Sequence, residues 1–130
     1  MDFTAIIVVS LIVLVVGTML YCQYKAKRLE GQPATALVAA IPELSAIDPA
    51  LVFCYSPTCA PCKNMLPGID TLTKETGCVF KIDVSANLDL AREVGIRATP
   101  TTLLVRQGVV EKVLLGVKSQ QTLRDLLEID

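Results

Sequence analysis

The most restrictive feature of this sequence is a run of twenty residues without a charge, from Phe3 to Cys22. A helix of twenty residues rises about 30 Å, which matches the hydrocarbon thickness of a bilayer. The run is too long and too uniformly apolar to be an ordinary core helix in a chain of 130 residues. We therefore predict a transmembrane anchor within residues 1–24, with residues 3–22 crossing the membrane.

A cleaved signal peptide is the competing interpretation of this run. Such a peptide requires a basic start, a shorter apolar core and a small-x-small cleavage site. Met1 and Asp2 supply no basic residue, and the run ends in the bulky sequence MLYC. Tyr21 immediately before Cys22 also fits poorly with lipoprotein processing, which favours small residues there. We therefore expect the anchor to be retained.

A basic cluster, formed by Lys25, Lys27 and Arg28, directly follows the apolar run, and no basic residue precedes it. Loops rich in Lys and Arg stay on the cytoplasmic side of a membrane. We therefore predict a single-pass protein of the inner (cytoplasmic) membrane whose domain faces the cytoplasm. The periplasmic face remains the alternative.

The remainder of the chain is predicted to comprise a basic juxtamembrane segment and linker, residues 25–36, and one small domain, residues 37–130. Residues 31–130 carry nine Lys or Arg and eleven Asp or Glu. This balance gives no indication of nucleic-acid binding, because such surfaces are strongly basic. We expect the domain to be monomeric.

The chain has five cysteines, an odd number. Cys22 lies at the membrane, whereas Cys54 and Cys78 fall inside apolar runs and are predicted to be buried, behaving as small apolar residues. Unpaired thiols persist best in a reducing compartment, which agrees with the cytoplasmic assignment.

The hydrophobic pattern after residue 34 alternates helices with strands. Strands are predicted at 50–55, 78–84, 101–106 and 109–115, and helices at 35–47 with an interruption at Pro42, at 60–76, at 85–94 with Ser85 as cap, and at 120–129 with Ser119 as cap. Such an order indicates an α/β domain with parallel pairing first and then an antiparallel hairpin, whose turn is Gln107-Gly108.

Two cysteines three residues apart, Cys59 and Cys62, stand where the first buried strand passes into a helix. The free amides and the dipole of a helix start favour a negative charge, and hence the thiolate form of Cys59. Pro61 suits an early helical position, where no amide hydrogen is required. The spacing allows the two sulfurs to bond across one turn, as a reversible dithiol requires.

At this point the chain resembles the thioredoxin family over some 80 residues from Leu51 onward. CAPCK at 59–63 is similar to the family's CGPCK, and VGIRATPTTLLVRQG at 94–108 resembles the segment around its cis-proline. Pro67 and Gly116 also match family positions. The resemblance implies a thioredoxin-like fold, with a central mixed sheet flanked by helices, here preceded by one N-terminal transmembrane helix.

The resemblance further implies a thiol-disulfide oxidoreductase that uses no cofactor and no metal, with a cis bond at Thr99-Pro100. The implied site comprises the catalytic Cys59 and Cys62, the motif residues Ala60, Pro61 and Lys63, and the substrate-binding Thr58, Thr99 and Pro100. Because Pro61 precedes the second cysteine, as in the reducing members, the implied role is reduction of protein disulfides with electrons from an unidentified thiol reductant.

The sequence departs from the family in three places near this motif. Thr58 stands where the family usually has Trp, Phe53 replaces its buried Asp, and Val79 replaces the buried Lys that accompanies this Asp. Losing both charges together leaves no buried charge unpaired, but it removes the proton relay. We therefore expect slower exchange. The family's first strand is also expected to be reduced or missing.

The cysteine pair also has alternative interpretations. A zinc site requires about four ligands, and with no His in the chain it would have to recruit Cys54 and Cys78. A purely structural disulfide would be unusual at a helix start. Two further alternatives remain: a periplasmic thiol-disulfide interchange protein of envelope or cytochrome maturation, and a membrane-tethered binding module with little turnover.

Overall fold

A computed structural model describes residues 2–128 and contains five α-helices and four β-strands. The helices are α1 (Phe3–Lys27), α2 (Thr35–Ala40), α3 (Ala60–Thr76), α4 (Leu88–Val94) and α5 (Gln120–Leu126), and the strands are β1 (Ala50–Tyr55), β2 (Val79–Asp83), β3 (Thr101–Arg106) and β4 (Val109–Leu115). A 3-10 helix, Pro42–Ser45, follows α2 where the sequence placed the interruption at Pro42.

The four strands form one mixed sheet in the order β2-β1-β3-β4. β1 pairs in parallel with β2 and antiparallel with β3, and β3 pairs antiparallel with β4. The connection between β3 and β4 is the Gln107-Gly108 turn, in which both residues have positive φ, 53° and 73°. Helices flank the sheet on both faces, so the predicted α/β fold class is confirmed.

Strand β1 is buried along nearly its whole length because helices cover both faces of the sheet. Val52 and Cys54 face a cluster that includes Leu37 of α2. Leu51 and Phe53 face a second cluster built mainly by α3 and α5. The continuous apolar run of this strand reflects that double burial.

The start of α4 differs from the prediction. The helix begins at Leu88 with Asn87 at its N-cap position, not at Ser85. The Asp83 carboxylate instead accepts hydrogen bonds from the Ser85 amide, the Ser85 hydroxyl and the Ala86 amide. These bonds, chiefly that of the Ser85 hydroxyl, lower the pKa of Asp83 and fold the intervening residues into a turn.

Cys78 is also placed differently. Strand β2 starts at Val79, and Cys78 is half-buried, with its Sγ donating to the Thr76 carbonyl at 3.3 Å. The prediction of a fully buried cysteine is therefore wrong at this position, because the residue belongs to the turn after α3. At Cys54, by contrast, full burial is confirmed.

No strand precedes β1 within residues 2–128. The segment that follows α1 instead runs beside the outer edge of β4: Gly31 N donates to Val110 O at 2.7 Å, and Val110 N donates to Gln32 O at 3.0 Å. Ala34 N also donates to Gly108 O. The expected linker is thus hydrogen-bonded to the domain.

Helix α1 is continuous from Phe3 to Lys27. Its apolar part, Phe3–Lys25, is long enough to cross a membrane, and none of it is buried against the rest of the protein. Length and apolar character are shared by membrane spans and N-terminal signal sequences. Lys25 and Lys27 lie in its last turn.

The two-sided core gives a direct test with a matched pair of substitutions. Leu72 is fully buried on α3, whereas Leu88 is 56% exposed at the start of α4. We expect Leu72→Ala to lower the free energy of unfolding by about 2–5 kcal/mol, through lost burial and a residual cavity. Leu88→Ala, the same chemical change, should stay within about 0.5 kcal/mol. Urea unfolding of the full chain in detergent micelles, followed by tyrosine fluorescence, measures both, and equal effects would contradict the described core.

Candidate active site

The candidate site lies at the junction between the end of β1 and the start of α3. After Tyr55 a short turn brings Cys59 to the N-cap position of the helix, and the Cys59 amide donates to Ser56 O at 3.0 Å. Cys59 has extended backbone angles, φ −84° and ψ 111°, so its side chain lies over the exposed amides of the first helical turn.

Cys59 and Cys62 form a disulfide, with their Cα atoms 5.3 Å apart. This separation lies within the range that a disulfide requires. The Cys62 amide donates to Cys59 Sγ at 3.3 Å. Cys59 is half-buried and Cys62 is fully buried, so an incoming reagent reaches the first sulfur and not the second.

The other motif residues lie on the exposed side of the same helical turn. Ala60, Pro61 and Lys63 are exposed, and Pro61 occupies one of the first two helical positions, where its missing amide hydrogen costs nothing. The Lys63 amide donates to Cys59 O at 3.3 Å and closes the first turn. The helix therefore starts at the cysteine, as the sequence suggested.

The segment before β3 contains the cis peptide bond Thr99-Pro100. Pro100 is buried, Thr99 is half-buried, and the Gly116 amide donates to Pro100 O at 3.0 Å. Because Cys54 pairs with Thr101 across the sheet, this segment lies at the same end of the sheet as the turn that carries Cys59. The cysteine pair and the cis-proline segment of the predicted site thus lie at the same end of the sheet.

Thr58, the remaining predicted substrate contact, is exposed on the turn before Cys59. Its hydroxyl lies 3.0 Å from the Ser56 hydroxyl, and its amide donates to Ser56 Oγ at 3.4 Å. The turn before Cys59 is thus held by hydrogen bonds between short polar side chains. The Trp that the family usually has at this position would instead add an apolar surface.

The surroundings of Cys62 are apolar. Phe53 is fully buried in the same cluster as Cys62 and stacks on Tyr55, with ring centroids 6.0 Å apart. Val79, 3% exposed, belongs to that cluster as well. Within residues 2–128, the buried polar side chains are Thr101 and Thr102, so no buried carboxylate or amine adjoins Cys62. Lys81, which pairs with Phe53 across the sheet, is directed to the surface and bonds to Asp70 Oδ1 at 2.7 Å.

Cys54 cannot join Cys62 in a common site, because it points to the other face of the sheet and belongs to the other core cluster. Burial raises the pKa of its thiol to about 12. Within residues 2–128, no group of three or more Cys, Asp or Glu side chains is arranged to hold a metal ion.

Two features of this end of the protein were not identified from the sequence. Leu88 and Val117 are exposed apolar residues, 56% and 57% exposed, and Val117 directly follows the glycine that bonds to Pro100. The apolar residue after Gly116 was the available signal. At the opposite end of the sheet, before β1 begins, a second cis peptide bond, Asp48-Pro49, was likewise not predicted from the sequence.

The geometry agrees with comparisons to known proteins. Residues 30–129 match the family described as Thioredoxin. The chain belongs to the thioredoxin family. Its members are thiol-disulfide oxidoreductases, and Cys59 and Cys62 form the disulfide-capable pair of this one.

Individual relatives show how far the similarity reaches. The chain is 33% identical over 76 residues to the thioredoxin of Bacillus subtilis, covering 56% of this chain and 73% of that protein. It is 32% identical over 83 residues to a chloroplastic M-type thioredoxin of Spinacia oleracea, covering 62% of this chain and 46% of that protein. A mutant thioredoxin from Halobacterium salinarum superimposes with a TM-score of 0.65 and 32% identity, covering 76% of this chain and 84% of that one.

The burial of Cys54 predicts a pronounced difference in thiol reactivity. With a pKa of about 12 against its ordinary 9.0, this thiol keeps its proton in the folded state. The contribution of this buried, protonated thiol to the free energy of unfolding is complete below pH 9.0 and is lost as the pH rises toward 12. At about pH 9, roughly one molecule in a thousand carries the thiolate.

We therefore expect iodoacetamide at that pH to alkylate Cys59 of the reduced, folded full chain while leaving Cys54 unmodified. Peptide mapping by mass spectrometry measures both sites, and addition of urea should expose Cys54 as an internal control. Equal labelling of the two cysteines before urea would show that β1 is not buried as described.

Proposed function

We propose that this protein is a membrane-anchored protein disulfide reductase that works by dithiol-disulfide exchange at Cys59 and Cys62. One observation carries the proposal: Cys59 Sγ caps α3, accepts the Cys62 amide and is accessible, while its partner sulfur is buried directly behind it. This is the arrangement of an attacking and a resolving thiol.

The reaction starts from the reduced pair. The Cys59 thiolate attacks one sulfur of a substrate disulfide, whose bond breaks, and the departing substrate sulfur takes up a proton. Cys62 then loses its proton and attacks Cys59 Sγ, which releases the second substrate sulfur as a thiol. Two electrons have passed to the substrate, and the Cys59–Cys62 disulfide seen here is the product state. A thiol reductant, as yet unidentified, restores the dithiol.

The neighbouring residues have positioning roles in this proposal. The backbone of Thr99 beside Pro100 pairs with an extended substrate segment, which adds a short strand at the edge of the site. Thr58 borders the same surface. Ala60, Pro61 and Lys63 form the exposed first turn against which the substrate lies.

The apolar surroundings of Cys62 set the expected speed of exchange. By resemblance, Phe53 stands in the place of the family's buried Asp, and Lys81, which pairs with Phe53 across the sheet, bonds to Asp70 instead. No carboxylate is therefore available to relay the Cys62 proton. The resolving step then depends on water reaching this sulfur. We therefore expect this protein to exchange disulfides more slowly than family members that keep the buried Asp. Attachment to the same membrane as its substrate would offset this, because it keeps the two proteins close together.

Membrane attachment through residues 3–22 forms the second part of the proposal. It is supported by the exposed apolar surface of α1 and by the basic residues at its end, Lys25 and Lys27. The same charges favour the cytoplasmic face of the inner membrane for the domain. The chain functions as a monomer on protein disulfides, without nucleic acid.

Substitution of each cysteine tests the chemistry. In the full chain in detergent, Cys59→Ser should abolish reduction of a protein disulfide such as that of insulin, because the attacking sulfur is lost. Cys62→Ser should stop turnover but accumulate a mixed disulfide through Cys59, visible on a non-reducing gel. Cys78→Ser is the matched control, since a hydroxyl can keep the bond to Thr76 O, and it should retain activity.

The departures at Phe53 and Thr58 favour one further candidate, a tethered binding module with little turnover. The two functions separate in a deletion strain. Loss of function with Cys59→Ser indicates the reductase, whereas full complementation by the same variant indicates the binding module.

The orientation is tested by thiol labelling of intact spheroplasts with a membrane-impermeant maleimide after mild reduction. We expect Cys59 to remain unlabelled until lysis, because the basic residues after α1 hold the domain in the cytoplasm. Labelling before lysis would place the site in the periplasm and favour a role in envelope or cytochrome maturation.

A further inference from the structure

The last two turns of α1 are part of the domain. Tyr21, Cys22, Lys25 and Leu29 line one side of a mostly apolar cavity of about 100 Å³. The opposite side of the cavity is formed by the segment before Pro100 and by the ends of β3 and β4, chiefly Ile96, Arg97, Ala98, Thr101, Val113 and Leu115. The C-terminal end of α1 is therefore packed against the sheet, and the rest of the helix extends away from the domain.

The contacts along β4 define the direction of the helix. Just after the helix, Gly31 bonds to Val110, near the start of the strand. Tyr21 and Cys22, about two turns earlier in the helix, share the cavity with Leu115, at the end of the strand. Followed toward its N-terminus, α1 thus runs along β4 from Val110 toward Leu115 and then continues beyond the sheet.

The end of the sheet that α1 passes is the end that carries the active site. Leu115 pairs with Thr101, which pairs with Cys54, one residue before β1 ends. The next residue after Leu115 bonds to Pro100 O. The apolar length of α1 that no part of the domain covers therefore projects from the face that bears Cys59 and Pro100.

We propose that the active-site end of the domain faces the bilayer and that its partner is an integral membrane protein whose reacting disulfide lies at the level of the lipid headgroups. This deepens the proposed function and rests on it. Two electrons pass from the Cys59/Cys62 dithiol to that disulfide, whose two sulfurs leave as thiols, as in the exchange described above.

A rigid junction supports this orientation. The segment after α1 bonds to β4 through Gly31 and Gln32, and the Val113 amide donates to Glu30 Oε1 at 3.2 Å. Leu29 packs closely on Gly95: a Cβ at that glycine would lie 2.7 Å from Leu29 Cδ2. The domain is thus not on a free tether that would let the site turn toward the solvent.

The chemistry of the exposed surface agrees with this placement. Outside α1, the exposed large apolar side chains of the described chain are Leu88 and Val117, and both lie at the active-site end. Leu88 borders a depression shared with Ala98 and Thr99. Lys25 and Arg97 line the cavity at the level where the helix emerges, as cations do near anionic headgroups.

The orientation is measured with single tryptophans, because the natural chain contains none. Leu88→Trp and Val117→Trp place the probe at the active-site end. Lys74→Trp, on an exposed site near the end of α3, places it at the far end of the sheet, about 20 Å away by strand length. The full chain is reconstituted in nanodiscs that contain a phospholipid with a nitroxide on its headgroup.

We expect the nitroxide to quench each of the two near-end variants at least about twice as strongly as Lys74→Trp, because quenching requires close approach and the ends are separated by a strand length. Two independent near-end sites keep the result interpretable if one variant fails to fold. Equal quenching at both ends, or stronger quenching at Lys74→Trp, would overturn the proposal.

The class of partner is tested with two membrane-inserted peptides that carry the same disulfide loop. In one, the loop directly follows the transmembrane segment; in the other, a helical spacer of about 20 residues raises it roughly 30 Å from the membrane. Both peptides are confined to the same disc, so they differ only in the height of the disulfide. We expect the reduced protein to reduce the low loop several-fold faster, and an equal or reversed preference would count against the proposal.

Oxidised glutathione separates the two hypotheses. If the reduced protein reduces glutathione in a manner that requires Cys59 but shows no height preference, the disulfide reductase stands and the membrane-facing site is wrong. If glutathione and both peptides remain oxidised, the proposed function itself fails.

Discussion

The structure depends on the burial of one strand on both faces. β1 sits between β2 and β3 with helices above and below, so its end is fixed in all directions. That end determines where the turn to α3 begins, and hence where Cys59 meets the free amides of a helix start. A reactive sulfur at the protein surface thus takes its position from apolar burial in the interior, since packed cores resist displacement.

The same burial governs the chemistry behind the accessible sulfur. Phe53 and Val79 make the cluster around Cys62 apolar, which stabilises the domain without any buried charge. In the proposed function, Cys62 is the resolving thiol and has no carboxylate beside it to take its proton, so the resolving step would be slow. Confinement to the membrane would offset this cost, because it raises the effective concentration of the partner.

Helix α1 both projects away from the domain and packs against it. Residues 3–20 of this helix are exposed, yet its last turns share a cavity with Ala98, Thr101 and Leu115. The residues that follow cover the open edge of β4, and a covered edge does not recruit other strands. The segment that would attach the domain to a membrane therefore also completes its fold.

Local features follow from short-range sequence patterns: apolar periodicity and turn residues predict the bounds of β1, α3, β3 and β4, the helix start at Cys59 and the hairpin turn. The family motifs added the cis bond at Thr99-Pro100, which short-range pattern alone does not specify. Other features depend on residues that are distant in the sequence and appear only in the folded protein. Ser85 does not cap a helix, because its hydroxyl donates to the Asp83 carboxylate, which also accepts from the amides of Ser85 and Ala86. The seat of α1 on β4 required residues some eighty positions apart to meet, and no local pattern encodes such a contact.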